Sequence, residues 1–245
     1  MENSQQKISI GQIKASAREN LLGNYSLLIS ASLLNTLIYS VILSPFMMMV
    51  QKNPNIIQLV IFCLAQVVIT GLTTLFRCGV LHMHTSVVQK DPIAFAQFLI
   101  CFKQNPNQIL SAGLILGLTT LLCQIPASVF TGICVFASMQ EKSVSPQLLL
   151  AMAVVCLICL VIYIFLQLQF ALVPFLLIDP GTDGTSVFRT SCRLMKGRKC
   201  KYFWMMLSFL GLFFLGILSL GIGFLWIKPY ILQTQTVFYQ QLHTH

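Results

Sequence analysis

The chain has 245 residues, of which 56% are hydrophobic and 9% are charged, and its mean hydropathy is +0.82. This composition excludes a soluble globular domain and requires lipid as part of the solvent. The net charge of +9 comes from cations that flank apolar runs, so it indicates anionic phospholipid as a partner and excludes nucleic acid.

The first predicted element is a short amphipathic helix that ends at Gly23-Asn24. Ser9 and Gln12 have the spacing of a capping box, and Lys14 and Arg18 lie opposite an apolar stripe. We expect this helix to lie in the membrane interface. The stripe consists of Ile10, Ile13, Ala17 and Leu21.

Six apolar runs follow, each near the length that a bilayer requires. They cover residues 25–50, 56 to 77 or 88, 109–139, 146–178, 202–220 and 224–242. The sequence therefore predicts an all-α polytopic membrane helical bundle with six spans. The sixth run is the least apolar, because Lys228 and four glutamines interrupt it, and we expect the other spans to shield it from lipid.

Arg77 lies where the second run has two possible ends. If the span ends at Arg77, the guanidinium can reach the head groups along the surface. If the helix continues to about Val88, Arg77 lies inside the membrane without a carboxylate partner in any span. In that case it must face the bundle interior, where Gln side chains, backbone carbonyls or a bound anion are its partners.

Two further interfacial helices are predicted between the spans. Asp91-Pro92 has the pattern of a helix start, and the aromatic segment that follows continues to Phe102. The other helix opens the segment 185–201, which we name the basic segment. On helical spacing its apolar residues share one face and its first three cations share the opposite face, before Gly197 ends the helix.

The basic segment supplies most of the candidate site. Its apolar face consists of Val187, Phe188, Ser191, Leu194 and Met195. The candidate lipid- or anion-binding residues of the whole chain are Arg189, Arg193, Lys196, Arg198, Lys199, Lys201 and Arg77.

The order of these elements recurs with a period of about 90 residues: interfacial helix, polar break, span, short turn, span. The three units are residues 1–90, 91–183 and 184–245 of one integral membrane domain. Within the second unit, Gly113 and Gly117 have the small-xxx-small spacing that lets two membrane helices approach closely.

The distribution of cations predicts the orientation. Twelve of the 15 Lys and Arg residues lie on the side of the interfacial helices, and Lys52, Lys142 and Lys228 remain for the other side. The positive-inside rule then places both termini in the cytoplasm, and we expect a multi-pass protein of the bacterial cytoplasmic membrane.

Several short motifs along the chain form a set. They are Ile13-Lys14-Ala15 with Leu22-Gly23-Asn24-Tyr25, Ser191 with Leu194-Met195-Lys196-Gly197, Leu207-Ser208-Phe209, Gly221-Ile222-Gly223, Pro229-Tyr230 and Phe238-Tyr239. Together they resemble the bacterial domain of unknown function 975 family of integral membrane proteins. One departure is Ile125-Pro126-Ala127, where the family pattern has Ile-Pro-Gly. The resemblance implies a polytopic membrane protein without an established biochemical activity.

The sequence contains none of the common catalytic or nucleotide-binding motifs, and its six acids all lie outside the predicted spans. His82 and His84 point to different helix faces, which disfavours a metal site, and Cys156 and Cys159 lie in mid-span, where they act as apolar residues. We therefore expect a protein that is not an enzyme and that uses no cofactor.

Two functions stay open. The first is an accessory, immunity or envelope component that binds anionic lipid or a membrane partner through its basic helices. The second is a transporter or carrier subunit with a solute site inside the bundle, since repeats often enclose such a site.

Overall fold

The computed structural model describes residues 9–51, 55–104, 106–139, 145–179 and 186–243. These residues form helices and no β-strand, which confirms the predicted all-α class. The helices are α1 (Ile10–Leu21), α2 (Tyr25–Gln51), α3 (Ile56–Gln89), a 3-10 helix (Phe95–Phe102), α4 (Pro106–Met139), α5 (Pro146–Phe170), α6 (Val173–Leu176), α7 (Ser186–Leu194), α8 (Lys199–Leu207), α9 (Leu210–Leu218) and α10 (Phe224–His243).

Five helical segments are long and apolar enough to cross a bilayer. They are Tyr25–Val50, Ile56–Gln89, Pro106–Phe130, Pro146–Leu176 and Lys199–Leu218. The sixth predicted run forms α10, which is not among these segments. Six spans thus stay a prediction, whereas five candidate spans are found in the part of the chain that the structure describes.

Two predicted spans are interrupted helices. The fourth ends as α5 at Phe170 and resumes as α6, where Pro174 lacks the backbone N–H that would continue the helix. The fifth divides into α8 and α9 at Ser208, whose hydroxyl donates to the Met205 carbonyl at 2.6 Å. Such a bond from a serine side chain to its own helix favours a local bend.

The second interfacial helix begins later than the sequence predicts. Asp91 does not open a helix, because its N–H donates to the Ser86 carbonyl at 2.9 Å and thereby closes the end of α3. Lys90 between them has the left-handed backbone conformation of a helix terminus, with φ 63. The next helix is a 3-10 helix that starts at Phe95.

Glycines bring α3 and α4 into close contact. A Cβ added to Gly113 would lie 2.8 Å from the Thr74 Cβ, and one added to Gly117 would lie 3.1 Å from the Val67 carbonyl oxygen. The predicted small-xxx-small pair therefore forms a real interface, with α3 as its partner. In the same interface the Gln66 amide donates to the Gln124 side-chain oxygen at 2.8 Å.

The main hydrophobic core joins α1, the second half of α3, α6, α7, α8 and α10. Ile13, Ala17 and Leu21 of α1 are each 0% exposed, and α1 makes extensive contact with α10. The apolar stripe of this helix therefore packs on protein, whereas the sequence suggested that it lies in the interface. By contrast, α5 has no buried residues, so its apolar side chains are free to face lipid.

The helices α9 and α10 form a hairpin that turns at Gly221, which has φ +90 and tolerates this conformation because it lacks a Cβ. Gly216 allows the two helices to meet closely, since an added Cβ would lie 2.9 Å from the Phe224 ring. Leu218, Leu220 and Ile222 at the tip are 78%, 93% and 60% exposed, so the tip presents an apolar surface.

The three predicted units differ in their details. Their first elements are a 12-residue α-helix, an eight-residue 3-10 helix and a nine-residue α-helix. The three-unit repeat and the boundaries at residues 90 and 183 stay predictions.

Candidate functional site

The helix of the basic segment is attached to the end of α5. Val187, Ser191 and Met195 are each 0% exposed, and the Ser191 hydroxyl donates to the Gln169 carbonyl at 2.6 Å. The Phe188 ring meets the Phe170 ring edge-on, with centroids 5.3 Å apart. These contacts fix the rotation of α7 about its axis. Its apolar face packs on protein, where the sequence suggested lipid.

Fixing the apolar face of α7 also fixes its cations. Arg189 and Arg193 are exposed on the opposite face of α7, and Lys196 is exposed in the turn directly after it. They follow one another at about one-turn intervals, so the helix carries a row of positive charge away from the core. This partition of the side chains agrees with the predicted helical spacing.

The remaining cations of the segment lie in the turn after α7 and in the first turn of α8. Arg198, Lys199 and Lys201 are half-buried. The Lys199 ammonium lies 4.1 Å from the centroid of the Phe165 ring on α5, a cation–π contact. Gly197 makes the turn between the two helices, with φ +77.

The position of Lys199 along α5 can be compared with the thickness of a bilayer. Phe165 lies about 28 Å from Pro146, the first residue of α5, at the helical rise of 1.5 Å per residue. The hydrocarbon core of a bilayer is about 30 Å thick. A cation of the basic segment is thus about one hydrocarbon thickness from the far end of this helix.

Arg77 lies at an equivalent position on α3. The helix continues to Gln89, and Arg77 is about 32 Å from its first residue, Ile56. The Arg77 side chain is exposed and does not face the protein interior. The interior is the position that the sequence predicts for Arg77 in a helix that continues past it. The guanidinium lies within electrostatic range of the Tyr202 hydroxyl in the first turn of α8, close in sequence to Lys201.

The neighbours of Arg77 on α3 carry the 3-10 helix. The Phe76 ring contacts the Phe102 ring at a centroid distance of 4.9 Å. Gly79 is required beside it, because an added Cβ would lie 2.0 Å from the Phe98 carbonyl oxygen. Phe102 and Phe95 remain exposed, so the 3-10 helix adds an apolar surface to α3 next to Arg77.

Lys14 makes a contact that the sequence did not reveal. Its ammonium lies 4.0 Å from the centroid of the Phe209 ring and donates to the Ser208 carbonyl at 3.2 Å. Burial, together with the charge of Arg18, lowers the pKa of Lys14. Both Lys14 and Phe209 belong to the family-like motifs, but no spacing rule joins residues so far apart in the chain.

A polar cluster connects α3 with α10 inside the protein. His84 and Gln233 are each 0% exposed, and the His84 Nδ1 is hydrogen-bonded to the Gln233 Oε1. The Gln233 amide also donates to the His84 carbonyl at 3.4 Å. These contacts explain a glutamine in the last helix, since a buried polar group requires a partner.

Tyr239 joins the end of α10 to α6 and to Asp179, which follows α6. The Tyr239 hydroxyl donates to the Asp179 carboxylate, and the Tyr239 ring stacks on Phe175 at 5.1 Å. Burial, and next the hydrogen bond and charge of Asp179, raise the pKa of Tyr239. Asp179, predicted only as the end of a span, is thus a structural partner of the last helix.

The fold and this surface define a polytopic helical protein with several apolar helices of membrane-spanning length and a row of cations near their ends. The chain belongs to the family described as Protein of unknown function (DUF975), whose model matches residues 7–245. No curated protein and no solved structure matches the chain.

Proposed function

We propose that the protein binds anionic phospholipid head groups through the cations of the basic segment, as a non-enzymatic accessory or envelope component of the bacterial cytoplasmic membrane. Both termini lie on the cytoplasmic side in this proposal. The binding surface consists of Arg189, Arg193, Lys196, Arg198, Lys199 and Lys201, with Arg77 at its edge.

One observation carries the proposal. Lys199 contacts α5 about 28 Å from Pro146, and Arg77 lies on α3 about 32 Å from Ile56. Both helices begin on the same side, so two independent helices put a cation at one hydrocarbon thickness from that side. With Pro146 and Ile56 at one boundary of the hydrocarbon, both cations would lie at the other boundary, within reach of the head groups of that leaflet.

The charge and packing of the segment support the same conclusion. Each Lys or Arg close to an anionic surface contributes roughly 1 kcal/mol of attraction. The helix α7, which carries Arg189 and Arg193, packs on the protein through Ser191 and its buried neighbours. Binding therefore costs little further ordering of the backbone. Flexible lysine and arginine side chains are enough to reach the individual phosphates.

The test compares lipids that remain with the purified protein. Arg189, Arg193 and Lys196 are replaced by Gln, and the protein is extracted from membranes of phosphatidylglycerol and phosphatidylethanolamine. We expect the phosphatidylglycerol fraction retained to fall severalfold, and the difference to shrink as salt rises, because salt screens exposed charges.

A matched control removes the same charge from other elements of the same predicted side, with Arg18, Lys90 and Lys103 replaced by Gln. This control should retain most of the phosphatidylglycerol. Equal loss in both variants would indicate a response to net charge alone. Unchanged retention in the first variant would reject the basic segment as the binding surface.

A further inference from the structure

A groove of about 210 Å³ lies between α2 and the α9–α10 hairpin, apart from the basic segment. One side comes from α2 and the other from the tip of the hairpin and the first turns of α10. The lining residues are Ile29, Ser32, Leu33, Thr36, Gly221, Phe224, Leu225 and Lys228. Apolar walls thus surround a few polar atoms.

The polar atoms of the groove suit an anion. The Lys228 ammonium lies 3.5 Å from the Thr36 hydroxyl oxygen, and none of the described residues that line the groove carries a carboxylate. Thr36 donates its own proton to the Ser32 carbonyl at 2.9 Å, so its oxygen can only accept from Lys228. The buried Ser32 hydroxyl has no hydrogen-bond partner among the described residues. The ammonium is therefore available to a ligand, and a rotation of the Ser32 side chain would bring its unpartnered hydroxyl to the same ligand.

The depth of Lys228 limits the source of that anion. Thr36 lies about 16 Å after α2 begins at Tyr25 and about 22 Å before it ends at Gln51. With the outer end of α2 at the outer boundary of a 30 Å hydrocarbon core, Lys228 lies about 8 Å inside the cytoplasmic boundary, and not on the outer side to which the cation count assigned it. An ammonium at that depth is costly without a partner, and a lipid phosphate is close enough to supply one.

The apolar part of the groove fits the acyl chains of a phospholipid whose phosphate is near Lys228. Phe224 and Leu225 line it, and the tip beside it exposes Leu220 and Ile222. This surface continues to the outside of the bundle, where acyl chains are available. A free phosphate or a soluble anion would leave these apolar walls without a contact.

We propose that this groove binds one anionic phospholipid, with its phosphate between the Lys228 ammonium and the Ser32 hydroxyl. The site uses the membrane orientation proposed above but none of the cations of the basic segment. It predicts one tightly retained lipid in addition to the diffuse surface layer.

The experiment is native mass spectrometry of the whole chain in mild detergent, with phosphatidylglycerol or phosphatidylcholine added. We expect the first phosphatidylglycerol to bind roughly tenfold more weakly to Lys228→Gln, since one charge-assisted hydrogen bond is lost. Ser32→Ala should weaken it less, and Lys228→Arg should retain most of the affinity. Gel filtration confirms that each variant is folded.

Further arms separate this site from the surface. Replacing Arg189, Arg193 and Lys196 by Gln should leave the first lipid bound with unchanged affinity, even if that change removes the surface layer. The inference would be overturned by unchanged binding to Lys228→Gln, by equal affinity for phosphatidylcholine, or by displacement of the lipid with inorganic phosphate.

Discussion

The ammonium of Lys199 lies 4.1 Å from the centroid of the Phe165 ring. This contact joins the basic segment to the surface of α5, a helix that has no buried residues. A cation therefore lies against a helix with exposed apolar side chains, about 28 Å along the helix axis from its first residue.

The first prediction concerns topology. Reporter fusions after Lys52 and Lys142, which lie outside the described residues, should report the outside, and fusions after Lys199 and at the C-terminus should report the cytoplasm. The asymmetry of Lys and Arg is the physical reason. The opposite pattern would reverse the orientation, and an external C-terminus would contradict the α9–α10 hairpin as a return to the starting side.

The second prediction concerns Arg77. Its guanidinium is exposed beside the 3-10 helix, so Arg77→Leu should insert and fold, with a change of about 0.5 kcal/mol or less in the free energy of unfolding. Denaturant titration in detergent measures this change. A change of several kcal/mol, or failure to insert, would indicate a buried ionic role that conflicts with the exposed side chain.

The fold follows from the sequence to a large extent, for local reasons. Gly23, Gly197 and Gly221 end helices where the pattern predicts, and each has a positive φ. Gly113 and Gly117 form the expected close helix contact. These features depend on one residue and its immediate neighbours, which a sequence displays directly.

The errors have a different origin. Asp91 has the pattern of a helix start, yet it closes α3, because the choice depends on the conformation of Lys90. An apolar helix face predicts burial without saying whether lipid or protein covers it, and for α1 and α7 the answer is protein. Contacts such as Lys14 with Phe209 join distant parts of the chain and leave no local pattern.

The third prediction tests the packing of the 3-10 helix on α3. Gly79→Ala places a methyl group where the Phe98 carbonyl lies, 2.0 Å from the added Cβ, so backbone must move. We expect a loss of about 1–3 kcal/mol or more in the free energy of unfolding. Thermal unfolding in detergent measures it.

The matched control is Gly211→Ala, because no atom lies within 4 Å of a Cβ added there. In that helix alanine should be neutral or slightly stabilising. If both variants unfold at the same temperature as the original protein, the contact between Gly79 and Phe98 is not formed.

The fourth prediction concerns Tyr239. Tyr239→Phe removes the hydrogen bond to Asp179 and should lower the free energy of unfolding by about 1.5–3 kcal/mol at neutral pH. The pKa of Tyr239 is raised in the folded protein by burial and by Asp179, so this stability is fully present below the ordinary value near 10. It is lost as pH rises above that value.

The difference in unfolding free energy between the original protein and Tyr239→Phe should therefore shrink in alkali. Tyr163→Phe is the control for removal of a phenol hydroxyl, and its difference at neutral pH should be small. A Tyr239→Phe difference that grows with pH would show that the phenol is more acidic in the folded state. That result would contradict a hydrogen bond from Tyr239 to the Asp179 carboxylate.

The most direct measurement of the proposed function is the membrane depth of the cations of the basic segment. A spin label is attached to Lys196→Cys in a background without other exposed cysteines, and its depth in vesicles with phosphatidylglycerol is determined by collisional relaxation with oxygen and a nickel chelate. We expect a label at the level of the lipid phosphates. A label in bulk water or within the hydrocarbon would contradict it.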